Sequence, residues 1–71
     1  MNHANPFHGK RLKELRAKVG YSQHQLSLKL GSWAGTGSQI SRYELGKNRP
    51  PDYIEQKLCE VFGVEFDYFR K

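Results

Sequence analysis

Thr36-Gly37-Ser38-Gln39-Ile40-Ser41-Arg42-Tyr43-Glu44 is the run on which the fold turns. Ile40 and Tyr43 stand three residues apart and form one narrow apolar edge, while Ser38, Gln39, Ser41 and Arg42 surround it with short polar groups and a guanidinium. Such a surface makes a poor core and a good readout face. Thr36 and Gln39 have the spacing of a capping box, so a helix is expected to begin at Thr36 or its neighbour. Leu45-Gly46 follows, and a glycine there lets the chain leave the helix through the left-handed region at little cost. The helix is therefore short, about two to two and a half turns.

Upstream, Ser22 caps a helix over Gln23 to Leu30, with Leu26 and Leu30 as an i, i+4 apolar pair and Gly31 closing the end. Before it, Asn5-Pro6 reads as a helix entry, and Leu12, Leu15 and Val19 recur at helical spacing until Gly20. Two short capped helices ended by glycine, followed by a polar-faced third, have the layout of a helix-turn-helix. Downstream, Lys47-Asn48-Arg49-Pro50-Pro51 is a loop, because two prolines forbid regular hydrogen bonding. Asp52 and Glu55 repeat the capping-box spacing, and Ile54, Leu58, Val61 and Phe62 form the apolar face of a fourth helix ending at Gly63. Val64 to Phe69 is expected to form a short fifth helix, since the chain offers it no strand partners.

Seventy-one residues make one domain, expected to span 1–71 with 1–5 frayed. A chain this short buries only about 60% of its unfolded surface and has no room for a deep substrate cavity. The net charge is +5 and the pI near 9.6, which favours a polyanionic partner. The charge is also segregated. Residues 1–51 carry nine bases and two acids, whereas 52–71 carry three bases and five acids. One end of the fold is built to meet phosphate and the other is not. A single cysteine, Cys59, excludes an internal disulfide and reads as a small core or interface residue. With neither a signal peptide nor a long apolar run, a cytoplasmic protein with no membrane partner is expected. His3, His8 and His24 are too scattered for a metal site, and no cofactor is called for.

Arg11-Leu12-Lys13-Glu14-Leu15-Arg16, Ser22-Gln23-His24-Gln25-Leu26, Lys29-Leu30-Gly31, Ile40-Ser41-Arg42-Tyr43-Glu44, Gly46-Lys47, Arg49-Pro50 and Phe62-Gly63-Val64 together resemble the XRE family, the phage-repressor or Cro-type helix-turn-helix. The resemblance covers roughly residues 7–70. It implies an all-α, compact five-helix phage-repressor-like domain with helices 2 and 3 as the helix-turn-helix. It also implies a weak homodimer on a two-fold-related double-stranded DNA operator, and a role in transcription regulation, as a repressor in the first instance. By the same resemblance, Gln23 matches a phosphate-bonding position, and Gly37, Ser38, Ser41 and Arg42 match positions that face base edges. Lys47 and Asn48 match the loop that follows the DNA backbone, and Arg16 and Glu44 match a largely buried salt bridge. The chain departs from the family in its turn, where eight residues separate Gly31 from Ile40, more than relatives place there.

Each of these residues also has a plainer reading. Arg42 either reads a guanine through O6 and N7 or touches phosphate or solvent. Gln39 either contacts a base or spends its amide on the cap, which competes with outward reach. Ser38 and Ser41 are short enough for phosphate or water-mediated contacts, and Thr36 joins the phosphate set with Gln23, Lys47 and Asn48. Trp33 is ranked first as packing, then as a DNA contact, then as a partner contact. Phe66, Tyr68 and Phe69 exceed what a small core needs at its terminus and are read in part as a dimer surface. The long turn and this aromatic tail also fit an antitoxin-like module that binds a partner protein. An enzyme is rejected, because the chain has no catalytic set with a pocket to hold it.

Overall fold

The glycines and caps punctuate the chain into short helices, each too short to stand alone and therefore dependent on packing. The computed structural model describes residues 7–31 and 37–71. Four α-helices follow in order: α1 (Gly9–Val19), α2 (Gln23–Leu30), α3 (Gly37–Leu45) and α4 (Asp52–Phe62). They end where Gly20, Gly31, Gly46 and Gly63 take positive φ. No strand occurs among the described residues. Asn5, Pro6, Trp33 and Thr36, to which the sequence analysis assigns an entry, a packing role and a cap, lie outside them.

Leu12, Leu26, Leu30, Ile40, Tyr43, Ile54, Leu58, Cys59 and Phe69 form one continuous core to which every helix contributes. Leu15, Val61 and Phe62 pack around it. Val19, expected on the inner face of α1, is the last residue of that helix and is 51% exposed. Cys59 is a core residue, and burial, reinforced by nearby Glu55, pushes its thiol up to about 11. It stays protonated and behaves as a small hydrophobe.

Three local expectations are corrected. First, α1 begins only at Gly9, after an extended His8 whose side chain makes no cap bond, so Phe7 and His8 are not helical. Phe7 and His8 are instead spent on the far end of the chain: the His8 backbone N–H donates to the Phe69 carbonyl at 2.7 Å, and the Phe7 ring meets Phe69 at 5.2 Å between centroids. Second, the fifth helix expected over 64–69 is a single 3-10 turn at Tyr68–Arg70. Its backbone groups are drawn sideways, since the Phe69 carbonyl accepts from His8 and the Tyr68 carbonyl accepts from Arg11 Nη1 at 3.4 Å. Third, Asp52 and Glu55 form no capping box, and α4 starts after Pro51 without a side-chain cap. Both carboxylates turn to Arg70. Its Nη2 donates to Glu55 Oε1 at 2.7 Å and to Asp52 Oδ1 at 3.2 Å, while its Nε reaches Glu55 Oε2 at 2.9 Å. The Glu55 side chain is 4% exposed, so this pair replaces the water it has lost.

Gly9 is where α1 crosses α3. A Cβ there would lie 2.8 Å from the Glu44 carbonyl oxygen and closer still to that of Tyr43, both rigid backbone atoms. Gly9→Ala is therefore expected to destabilise the fold by about 1–3 kcal/mol, the range of core overpacking. Thermal unfolding followed by circular dichroism checks this, and an unchanged midpoint would mean that the two helices can separate freely.

Candidate nucleic-acid interface

Two reciprocal bonds define the start of α2. Ser22 Oγ accepts from the Gln25 N–H at 3.0 Å, and Gln25 Oε1 accepts from the Ser22 N–H at 2.7 Å. That box fixes the turn from which Gln23 projects. Leu26, Ser27 and Leu30 face inward, and Ser27 is tolerated there because its hydroxyl donates to the His24 carbonyl at 2.6 Å.

In α3 the buried stripe is Ile40, Tyr43 and Glu44, so the narrow apolar edge read from the sequence also carries an acid. Ser38 and Arg42 are exposed on the outer side, with Gln39 and Ser41 half-buried at its flanks. A Cβ on Gly37 would sit 3.3 Å from the backbone nitrogen of His24, so its side-chain direction faces α2 and it serves as a spacer where the two helices meet. Beyond α3, the N–H groups of Lys47 and Asn48 both donate to the Arg42 carbonyl, at 3.0 and 3.4 Å. The loop is thereby folded back to the end of α3 that bears Arg42, and buried Pro50 anchors its far side.

Arg16 and Glu44 meet behind this surface. Arg16 Nε donates to Glu44 Oε2, Nη2 donates to Oε1 at 3.1 Å, and Nη1 donates to the Tyr21 carbonyl at 2.9 Å. The Glu44 side chain is only 3% exposed. Its hydrogen bond holds the Arg16 guanidinium above its ordinary pKa, against the opposing effect of burial. Glu44 Oε1 takes a further donor, Gln23 Nε2 at 3.1 Å. The carboxylate thus ties α1, α2 and α3 together. Sequence reasoning found the ion pair through the family resemblance but missed the Gln23 link, for which a 21-residue separation leaves no periodic signal.

The aromatic tail divides. Phe66 is 63% exposed, but Tyr68 is half-buried beneath the Arg11 guanidinium and Phe69 is fully buried. Phe69 is therefore a core residue and not part of a dimer surface, because the 3-10 turn tucks it between α1 and the rest of the core.

The charge segregation acquires a structural form. All three bases of 52–71 are ion-paired: Lys57 with Glu60, Arg70 with Glu55 and Asp52, and Lys71 with Glu65 and Asp67. Of the nine in the first part of the chain, only Arg16 has an acid partner among the described residues. Arg42, Lys47 and Arg49 are exposed and carry uncompensated charge on or next to α3. Among the described residues, no three His, Cys, Asp or Glu side chains are grouped so as to hold a metal ion, and no helix is long and apolar enough to cross a membrane.

Comparison with known proteins supports a helix-turn-helix domain. A profile of the helix-turn-helix family matches residues 12–69. Over 63 residues the chain is 36% identical to an SPbeta prophage-derived uncharacterized HTH-type transcriptional regulator, YonR, of Bacillus subtilis (strain 168). That match covers 89% of this chain and 56% of the relative, so the chain spans little more than half of the relative's length. No solved structure matches it significantly.

Removing either Arg16 or Glu44 alone should cost about 3–5 kcal/mol, because the remaining charge is stranded in a nearly dry site. Replacing both with apolar side chains, as Arg16→Met with Glu44→Leu, should cost much less than the two single changes added. Urea denaturation of the three variants is the check, and strictly additive losses would mean that the two residues do not act as a unit.

Proposed function

The chain belongs to the XRE-type helix-turn-helix family, and from that premise we propose that it is a sequence-specific double-stranded DNA-binding regulator of transcription, acting as a repressor. The observation that carries this reading is the uncompensated positive charge of Arg42, Lys47 and Arg49 beside an exposed, polar α3, set against an acid-rich end that neutralises its own bases. A cationic helix face with short polar side chains is suited to the major groove, where backbone contacts supply affinity and base edges supply sequence.

In this reading α3 enters the groove with Ser38, Gln39, Ser41 and Arg42 toward the bases. Gln23, Lys47 and Asn48 hold the DNA backbone on either side, and Thr36 is assigned to the same phosphate set. Arg42 is the principal reader, since its fork can donate to both O6 and N7 of a guanine. One nine-residue helix spans too few base pairs for useful specificity. Two copies related by a two-fold, reading half-sites about one helical turn apart, would supply the rest. Exposed Phe66 is the remaining aromatic candidate for that pairing. Such a regulator would work in the cytoplasm, on the nucleoid or on phage DNA.

Selection of bound sequences from random duplexes should enrich a two-fold-symmetric site. On that site Arg42→Ala should lose about 1–3 kcal/mol at one base-pair position per half-site. Lys47→Ala should weaken all sequences alike and reduce the salt slope by about one. Equal losses for Arg42→Ala on the selected and a scrambled site would remove it from base readout.

A further inference from the structure

Among the described residues Val19, Leu28, Leu45, Tyr53 and Phe66 are the exposed large apolar side chains, and of these only Leu45 belongs to α3. It is 66% exposed, whereas Ile40 and Tyr43 on the same helix are buried in the core. Leu45 follows Ser38 by seven positions and Arg42 by three, and at about 100° per residue this spacing puts all three on one side of α3. That is the outer side, where Ser38 and Arg42 are exposed. One leucine therefore stands on a face otherwise made of hydroxyls and a guanidinium.

Its surroundings are open and cationic. Gly46 turns the chain at φ +77°, and a Cβ there would meet no described atom within 4 Å. The Lys47 N–H returns to the Arg42 carbonyl at 3.0 Å, so Leu45 lies in a turn between two exposed bases. An apolar protein surface reaching this leucine would have to strip water from charges it could not repay. A duplex brings phosphates for the cations and, in the major groove, a methyl group for the leucine: the C5-methyl of thymine. Along the helix axis Leu45 lies about 4.5 Å beyond Arg42, little more than the roughly 3.4 Å between successive base pairs.

We infer that Leu45 reads a thymine: its side chain packs on the C5-methyl of a base pair next to the one that Arg42 reads. This rests on the DNA-binding reading above and deepens it, adding an apolar specificity contact to a set of hydrogen-bonding residues. Cytosine and the purines offer no methyl group in the groove, so one leucine separates thymine from the other three bases. The apolar surface that Leu45 exposes to water in the free protein is covered in the complex, which makes the contact favourable as well as selective.

The test uses the duplex selected from random sequence, with each thymine replaced in turn by uracil, which removes the methyl group and keeps every hydrogen-bonding group. The native chain should lose about fourfold in affinity at one thymine per half-site, the worth of one buried methyl group. With Leu45→Ala, too short to reach the methyl, the same replacement should cost less than about 1.5-fold. Leu45→Met, apolar and of similar length, should regain most of the discrimination. Leu45→Ala should melt within about 4 °C of the native chain, because the position is exposed. A native chain indifferent to uracil at every thymine would overturn the inference, as would an equal uracil penalty with and without Leu45. A loss for Leu45→Ala of the same size on thymine and uracil duplexes would overturn it too, assigning the leucine to a contact between protein copies.

A second measurement needs no variant. In carbon-edited NMR spectra of the native complex, the Leu45 methyl groups should show a through-space contact to one thymine methyl, and its absence would refute the assignment. Failure of the DNA-binding reading itself is separate: the native chain would then enrich no site and bind no duplex at low salt.

Discussion

A carboxylate that has lost its water must be given donors, and Glu44 obtains all of its donors from other helices. Arg16 reaches it from α1 and Gln23 from α2, while Glu44 itself rides on α3 beside Ile40 and Tyr43. The apolar core brings these helices into contact but leaves their mutual rotation loosely specified, since dispersion and burial are nearly indifferent to small slides. A fork-shaped guanidinium on a fixed carboxylate is not indifferent, because it tolerates little change in angle or distance. The surface on the other side of α3 inherits that precision.

The same device appears a second time. Arg70 closes the C-terminal turn onto buried Glu55 and exposed Asp52, as Arg16 closes α1 onto α3. The two pairs differ in their surroundings. Around Arg70, Lys57 and Lys71 also find acids, so that end of the molecule consumes its own charge. Around α3 the bases are left over. A domain with a net charge of +5 thus concentrates more than its net positive charge in the part that contains the helix-turn-helix, and a polyanion approaching it meets an oriented field.

Close helix contact has its own requirement. Gly9 and Gly37 occupy points where one helix lies on the backbone of another, α1 on α3 and α3 on α2. Read in order, Gly37 belongs to a base-reading surface and Gly9 has no assigned role. Neither close approach follows from local pattern, because what a missing side chain makes room for lies elsewhere in the chain.

Local periodicity and punctuation were enough to place α2, α3 and α4 within a residue or so, to put Leu12, Leu26, Leu30, Ile40, Tyr43, Ile54 and Leu58 inside, and to point to a helix-turn-helix with a basic side. Those features depend on contacts three or four residues apart and on total charge, which the order of residues contains directly. The partners of polar groups do not follow from local order. Asp52 and Glu55 have the spacing of a cap and bind Arg70 instead. Phe69 resembles a surplus aromatic and completes the core, and Gln23, matched in the sequence to a phosphate-bonding position, has an amide N–H bound to Glu44. In each case several partners satisfy the local chemistry equally well, and only the packed chain, by bringing one donor or one cavity within reach, selects among them.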